Sequence, residues 1–197
     1  MRKDYEIILK LIPENSKVLD IGCSDGELIS YLENKGVSAQ GVELNQEKVI
    51  KCLEKGLDVI HGDINLIVED FPFNQFDYCL LTQTIQAVQK PDQLLNTLKK
   101  VSKNIIVSFN NSARLSKISN FLLSGSFDSL LKKADSDHWY NTDYIHPCSI
   151  KDFKKLAANL DLKIISTFDV INQRKFENGK IPSNLFCKEV LFHITDE

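Results

Sequence analysis

The residues best suited to chemistry are acidic side chains at the ends of apolar runs, together with one loop bounded by glycines. Asp20 lies in the apolar run KVLDI of residues 17–21, and the loop GCSDG of residues 22–26 follows it directly. Glu43 lies at the end of the next apolar run, in GVELN, and Asp63 follows the third, in HGDI. The carboxyl ends of parallel strands meet at one edge of a sheet, where carboxylates can accept hydrogen bonds from ribose hydroxyls and amino groups. The pattern therefore predicts a nucleoside site.

The glycine loop does not match the dinucleotide-binding pattern G-x-G-x-x-G. Counted from Gly22, the second and third glycine positions are occupied by Ser24 and Glu27. Asp25 and Glu27 would also repel a pyrophosphate at the start of the following helix, so a cationic or zwitterionic ligand fits better. A plainer interpretation stays open, in which Gly22 and Gly26 make only a tight turn and each acid is a solvated loop residue.

Apolar periodicity predicts the elements that position these residues. Strands are expected at residues 18–21, 39–44, 57–61, 76–82, 104–109, 162–171 and 185–194, with helices around residues 5–12, 28–35, 49–55, 92–101, 115–123 and 150–160. Ser149 to Asp152 resembles a capping box at the start of the last helix. Alternating strands and helices are typical of right-handed βαβ units. We therefore expect an α/β, doubly wound, Rossmann-like fold, with a mostly parallel seven-stranded sheet, its last strand antiparallel, and helices on both faces.

Residues 111–147 interrupt this alternation and include most of the polar aromatic stretch DSDHWYNTDYIHPCS. His138 and His146 are candidate catalytic bases, because an unperturbed histidine has a pKa near about 6.5. Trp139 and Tyr140 could form the wall of a pocket or hold a cation against their rings. The alternative is an ordinary covering loop that Trp139 anchors. We expect this segment to be a lid or a contact insertion.

Composition narrows the possible classes of protein. The chain has 197 residues without a repeat or a linker, so we expect one domain over residues 1–197. A net charge of −3 provides no basic field for nucleic acid, and the broken apolar run near the N-terminus is too short to span a membrane. The five scattered cysteines include no C-x-x-C, which disfavours a disulfide framework and a metal site. A cytoplasmic location is expected.

The motifs VLDIGCSDG, GVEL, GDI and FDYCLLTQTIQAV resemble those of the class I S-adenosylmethionine (SAM)-dependent methyltransferases, over roughly the first half of the chain. The resemblance implies that the glycine loop lies against the methionine part of SAM, or of its product S-adenosylhomocysteine, with Glu43 on the ribose and Asp63 near the adenine. It also implies that Thr82 and Gln83 face the methyl-transfer region. Ser24 replaces the family's middle glycine with a small residue. The expected cofactor-binding set is Asp20, Gly22, Cys23, Ser24, Gly26, Glu43, Leu44, Asp63, Ile64, Thr82 and Gln83.

A narrower resemblance covers nearly the whole chain. The stretches LIPENSKVLDIGCSDGELISYL, LLTQTIQAVQKPDQLL, NIIVSFNN and WYNTDYIHPCSIKDF are similar to the methionine biosynthesis protein MetW family. That family has a methyltransferase-like fold and is linked to homoserine O-acyltransferase. Two places depart from its usual pattern: Asn110 stands where the family has proline after V-S-F, and Asp143-Tyr144 replaces a Pro-Asn pair. Both departures fall where a substrate or partner would be met.

Two functions from different classes follow from the resemblance. The first is a SAM-dependent methyltransferase of methionine metabolism that acts on a small-molecule acceptor, and acceptor-site geometry around Thr82, Gln83, His138 and His146 would favour it. The second is a non-catalytic SAM-binding regulatory subunit of a homoserine O-acyltransferase. An exposed apolar patch formed by residues 111–147 would favour that subunit. A dehydrogenase is a distant third interpretation because of the departures from the dinucleotide pattern.

Overall fold

The computed structural model describes residues 1–128, 146–177 and 179–196. The strands in chain order are β1 (Lys17–Ile21), β2 (Ser38–Glu43), β3 (Val59–His61), β4 (Phe76–Thr82), β5 (Ser102–Asn110), β6 (Lys163–Asp169), β7 (Arg174–Glu177) and β8 (Glu189–Thr195). They form one sheet in the order β3-β2-β1-β4-β5-β8-β6-β7. The first five strands pair in parallel, whereas β8 is antiparallel to both β5 and β6, and β7 is antiparallel to β6. The sheet is therefore doubly wound around β1, as the alternation of apolar runs predicts.

Helices cover both faces of this sheet. They are α1 (Lys3–Leu11), α2 (Glu27–Asn34), α3 (Gln46–Glu54), α4 (Ile64–Ile67), α5 (Pro91–Val101), α6 (Leu115–Ser124) and α7 (Ile150–Asn159). Local side-chain chemistry starts several of them. Asn45 caps α3 by accepting hydrogen bonds from the backbone N–H groups of Glu47 and Lys48. The predicted capping box of α7 is confirmed, since Ser149 and Asp152 each accept from the other's backbone N–H.

Two apolar clusters, one on each side of the sheet, fix the position of the strand ends. On one side, α5 and α7 pack on β4, β5 and β8, with the rings of Phe109, Phe153 and Phe192 in mutual contact at centroid distances of 4.7–6.0 Å. On the other side, α1, α2 and α3 bury residues such as Ile8, Leu32 and Cys52 against β1 and β4. Because both faces are covered, functional groups are reached from the carboxyl edge of the parallel strands.

The expected α/β fold with a mostly parallel sheet is confirmed, but the sheet has eight strands within the described residues, not the seven predicted. The additional strand is β7, which lies between the predicted strands at residues 162–171 and 185–194. β7 lies at the edge of the sheet, where its two basic residues Arg174 and Lys175 are exposed. An edge strand with charged side chains has no apolar alternation to reveal it, and such charges discourage pairing with other chains. The expected last strand is also shorter at its start, which the structure places at Glu189.

Within residues 1–128, 146–177 and 179–196, no helix has the length and apolar character needed to cross a bilayer.

Candidate functional site

A cavity of about 720 Å³ opens at the carboxyl edge of the sheet, where β1, β2 and β4 end. This volume is in the range of small-molecule sites. Its walls are Ile21, Gly22, Val42, Glu43, Leu44, Asn45, Lys48, Gly62, Asp63, Ile64, Asn65, Thr84, Ala87, Val88 and Gln89. Five predicted cofactor-binding residues therefore line it together: Gly22, Glu43, Leu44, Asp63 and Ile64.

The glycine loop approaches its neighbours too closely for a side chain at its first position. Gly22 has φ +74°, and a Cβ there would lie 2.7 Å from the hydroxyl oxygen of Thr84. The Thr84 hydroxyl itself donates to the Ile21 carbonyl at 3.0 Å. Gly26 also has a positive φ, +76°, and Ser24 adopts φ +54° without being glycine. The loop thus contains three left-handed residues, a conformation that only glycine adopts without strain.

Glu43 holds this loop in place through both oxygens of its carboxylate. One oxygen, Oε2, accepts from the Ser24 backbone N–H at 2.9 Å, and Oε1 accepts from the Asn45 backbone N–H at 2.8 Å. The side chain is buried yet lines the cavity. Each carboxylate oxygen has two acceptor sites, so Glu43 can also accept from a bound hydroxyl. The sequence pattern identifies Glu43 as a ligand residue but does not reveal this structural role.

Asp20 is a buried carboxyl group with an unused acceptor. Its side chain is 1% exposed, and within the described residues Oδ1 has no hydrogen-bond partner. Burial raises the pKa of Asp20 to about 7; Arg2 opposes this shift, whereas the carboxylates of Asp4 and Glu43 add to it. Asp20 lies directly before Ile21 in the cavity wall. Asp20 itself is buried and is not among the residues that line the cavity. A buried acceptor without a donor is costly, so a hydrogen-bond donor that reached Oδ1 would stabilise it.

Asp63 lines the cavity after the end of β3 and caps the short helix α4. Its Oδ1 accepts from the backbone N–H of Asn65 at 2.9 Å and from the Asn65 side-chain amide at 2.7 Å. Within the described residues, the other carboxylate oxygen, Oδ2, accepts no hydrogen bond. It can therefore accept one from the amino group of a ligand. The short helix α4 and the lining residue Asn65 were not anticipated from the sequence.

Thr82 and Gln83 lie at the end of β4, next to the cavity, but neither residue lines it. Thr82 is buried, and Gln83 has φ +59°. The Gln83 amide donates to Glu189 Oε1 at 2.8 Å, and its oxygen accepts from the Asn110 amide at 2.9 Å. The cavity wall is formed instead by Thr84 and by residues 87–89, which lie in the same TQTIQAVQ stretch of residues 82–89. Thr82 and Gln83 therefore belong to the segment that borders the cavity but do not line it.

A buried polar cluster adjoins Gln83 and ties α1 to the sheet. Asp4 is 1% exposed and accepts from the Ser108 hydroxyl at 3.1 Å and from two guanidinium nitrogens of Arg2 at 2.6 and 3.1 Å. Arg2 also donates to the Tyr5 hydroxyl at 3.1 Å. Burial raises the pKa of Glu189, and the Asp4 carboxylate adds to this shift. Nothing in the local sequence around Asp4 signals burial, because its partner Ser108 is distant in the chain.

A sequence model of one family, described as "Methionine biosynthesis protein MetW", matches residues 2–194. The chain belongs to the MetW family. It is 31% identical over 202 residues to the "Bifunctional methionine biosynthesis protein MetXA/MetW" of Rhodopirellula baltica, covering 96% of this chain and 32% of that protein. The chain thus spans about a third of the length of this curated relative.

Solved structures that resemble this chain confirm that it has the fold of SAM-dependent methyltransferases. A protein of that description from Mesorhizobium loti has a TM-score of 0.69 at 12% identity, covering 98% of this chain and 97% of its own. A possible histamine N-methyltransferase from Thermotoga maritima has a TM-score of 0.67 at 16% identity, with coverages of 99% and 88%. A TehB-like methyltransferase from Corynebacterium glutamicum gives 0.66 at 14%, with 100% and 89%.

Cys23 packs beneath the backbone of the glycine loop. Its thiol is buried, and burial raises its pKa above the usual range, so it is not an activated nucleophile. A Cβ at Gly41 would lie 2.5 Å from the Cys23 sulfur, so glycine at this position in β2 leaves room for the loop. Cys52 lies beside it and donates to the Ser24 carbonyl at 3.3 Å. Among the described residues, no group of three potential ligands forms a metal site.

Of the two candidate bases, only His146 lies within the described residues. His138 lies outside the described residues, as do Trp139 and Tyr140. The backbone N–H of His146 donates to the Gln86 carbonyl at 3.0 Å, and its ring Nε2 lies 3.1 Å from the Gln89 carbonyl. His146 therefore anchors the chain to the loop that lines the cavity.

Proposed function

We propose that the chain binds SAM or S-adenosylhomocysteine in the cavity at the carboxyl edge and acts as a methyltransferase-type protein of methionine biosynthesis. The observation that carries this proposal is the convergence of the Gly22 loop, Glu43 and Asp63 on one cavity of about 720 Å³. The family membership supports the pathway, and the fold supports the class of ligand. Within this proposal the whole chain is one SAM-binding domain located in the cytoplasm.

Each part of the cofactor has a suitable group on the chain. Glu43 would accept hydrogen bonds from the ribose hydroxyls while it continues to hold the Ser24 N–H. Asp63 would accept from the adenine amino group. The unused acceptor of Asp20 suits the positively charged amino group of the methionine part, with Gly22 leaving room for the backbone to approach it. Cys23, Ser24 and Gly26 would shape the loop, and the remaining predicted contacts are Leu44, Ile64, Thr82 and Gln83.

Bound SAM supplies an activated methyl group, so a nucleophilic acceptor needs mainly alignment and exclusion of water. Gln83, Asn110 and Glu189 form a hydrogen-bonded polar group at the ends of β4, β5 and β8, which would meet a small-molecule acceptor there. His146, held against the cavity loop, and His138 remain the proposed bases. Methylation of a small molecule is the leading function within this proposal.

A second candidate function is supported by a different observation. None of the ten residues of α6 is buried, although the helix contains several large apolar side chains. The curated relative from Rhodopirellula baltica combines MetXA and MetW parts in one chain, and MetX is a homoserine O-acetyltransferase. The chain would then be a SAM-binding regulatory subunit of a homoserine O-acyltransferase.

Thermal unfolding with added ligands tests the cofactor assignment. A ligand that binds only the folded state stabilises it by about 2.7 kcal/mol at a hundredfold excess over Kd, which corresponds to about 5 °C or more in Tm. SAM and S-adenosylhomocysteine should each raise Tm by this amount, and NAD should leave it unchanged. A rise in Tm with NAD and none with SAM would overturn the assignment.

A further inference from the structure

Helix α6 presents an apolar face to solvent. Leu115 and Leu122 are seven residues apart and lie on the same side of the helix. The exposed fraction is 74% for Leu122 and 87% for its neighbour Leu123. Isolated exposed leucines are common, but leucines that share one helix face form a patch.

A second segment with exposed apolar side chains lies against the start of this helix. The Leu115 backbone N–H donates to the Leu185 carbonyl at 2.7 Å, so the turn before β8 lies against the first residue of α6. Phe186 in that turn is 71% exposed. We define the α6 surface as Leu115, Leu122, Leu123, Leu185 and Phe186. It combines aliphatic side chains with an exposed aromatic ring, the composition that anchors protein interfaces.

The α6 surface stands on a rigid base. The Asn111 side-chain amide donates to the carbonyls of Asn184 at 2.6 Å and Cys187 at 2.9 Å, which fixes the turn at both ends. The Asn111 backbone N–H donates to the Lys188 carbonyl. A patch that is held in one conformation before binding loses less entropy when a partner covers it.

The base of α6 also contacts the wall of the cavity. The Gln86 amide lies 3.5 Å from the Ser112 hydroxyl and 3.5 Å from the His146 carbonyl, and the Gln86 carbonyl accepts from the His146 N–H. Gln86 belongs to the loop of residues 84–89 that lines the cavity. The base of α6 is therefore joined by partly buried polar contacts to the loop that lines the proposed SAM site.

We propose that the α6 surface is the docking site for the homoserine O-acyltransferase. This inference rests on the proposed partner role and assigns the surface that performs it. Three observations support this occupant: a relative that joins the MetXA and MetW parts in one chain, an apolar aromatic patch on a hydrogen-bonded base, and a contact from that base through Gln86 to the loop that lines the cavity. A docked acyltransferase would contact the framework that surrounds SAM.

The test measures binding of the purified homoserine O-acyltransferase of the same organism by biolayer interferometry. The variants are Leu122→Gln and Phe186→Gln, which remove apolar surface without adding charge, and glutamine is a good helix former at position 122. The matched control is Phe73→Gln, because Phe73 is 76% exposed and lies outside the α6 surface. Each variant of the α6 surface should weaken binding at least tenfold, whereas the control should bind like the wild type. SAM affinity and Tm should stay unchanged in all three.

The other outcomes would each overturn the inference in a distinguishable way. No binding by the wild-type chain would remove the partner role as well, whereas the SAM titration would still test the cofactor assignment. Tight binding by Leu122→Gln and Phe186→Gln would place the acyltransferase elsewhere. A concentration-dependent dimer that only these variants lose would make a second copy the occupant. If Leu122→Gln and Phe186→Gln lower Tm but leave acyltransferase binding unchanged, these side chains pack against another part of the same chain.

Discussion

The Glu43 carboxylate and the Ser24 backbone N–H are joined by a hydrogen bond of 2.9 Å. This contact connects the end of β2 to the middle of the glycine loop, in a residue with φ +54°. A left-handed serine is strained, so an external acceptor is needed to hold its N–H in this direction. The residue proposed to recognise the ribose therefore also maintains the loop that would receive the methionine part.

Glu43→Gln should weaken SAM binding by at least tenfold. An amide has one acceptor oxygen, so either the Ser24 N–H or the Asn45 N–H would face a donor instead. Hydrogen bonds to charged groups are worth about 1.5–3 kcal/mol each. Isothermal titration with SAM measures the effect, and the exposed Glu47→Gln serves as the control. An unchanged SAM affinity in folded Glu43→Gln protein would mean that the Glu43 carboxylate does not contribute to SAM binding.

Gly22→Ala should abolish measurable SAM binding and lower Tm by several degrees. The new Cβ would meet the Thr84 hydroxyl at 2.7 Å in addition to the strain of φ +74°. Gly56→Ala is the matched control, because it has φ +76° but nothing within 4 Å of its Cβ position. Thermal unfolding and SAM titration are compared for both. If the two variants lose stability equally and both bind SAM, the contact with Thr84 has no functional importance.

The stability of the chain should depend on the ionisation of Asp20. Because burial raises its pKa to about 7 from 3.8, the folded state holds a proton that the unfolded state has lost between these pH values. The unfolded state then binds fewer protons, so this group reduces stability as pH rises from about 4 to about 7. Asp20→Asn cannot ionise and should gain Tm relative to the wild type over that interval.

The measurement for Asp20 is Tm as a function of pH, with the exposed Glu54→Gln as a control that should follow the wild type. SAM should also bind more weakly to Asp20→Asn at neutral pH, because the amide cannot pair with the positively charged amino group. A constant Tm difference between Asp20→Asn and wild type from pH 4 to 7 would show that Asp20 is already ionised in the folded state.

Asp4→Asn should destabilise the chain more than any exposed substitution on α1 or α2. It removes the charge that pairs with Arg2 and weakens the acceptor of the Ser108 hydroxyl, and the loss of one buried partner costs about 1–3 kcal/mol. Urea unfolding provides the free energy, with the exposed Glu33→Gln as control. A double-mutant cycle with Ser108→Ala isolates the pair, and a coupling energy of zero would mean that Asp4 and Ser108 act independently.

Elements with strong apolar patterns could be predicted from the sequence. The apolar runs around residues 18–21 and 76–82 form strands β1 and β4 as predicted, and the capping box at Ser149 is present. The glycine loop and the strand-end acids Glu43 and Asp63 could also be located, because parallel strands bring their carboxyl ends to one edge. These predictions needed only local patterning and the topology of a doubly wound sheet.

The missed features depend on contacts between distant segments. The edge strand β7 has charged residues and takes its conformation from pairing with β6, so no local pattern reveals it. The orientation of the Gln83 side chain depends on Glu189, which is 106 residues away. The burial of Asp4 depends on Ser108, which is 104 residues away.

The position of β8 has a consequence for folding during synthesis. β8 pairs with β5 on one side and with β6 on the other, although the ribosome produces it after both. Until residues 189–195 emerge, the edges of β5 and β6 that pair with β8 remain open. The hairpin of β6 and β7 cannot yet join the rest of the sheet. Glu189, which bonds to Gln83 beside the proposed ligand site, arrives with the same strand. A nascent chain can therefore assemble the parallel half with the glycine loop early, but it completes the region around Gln83 only when its last strand closes the sheet.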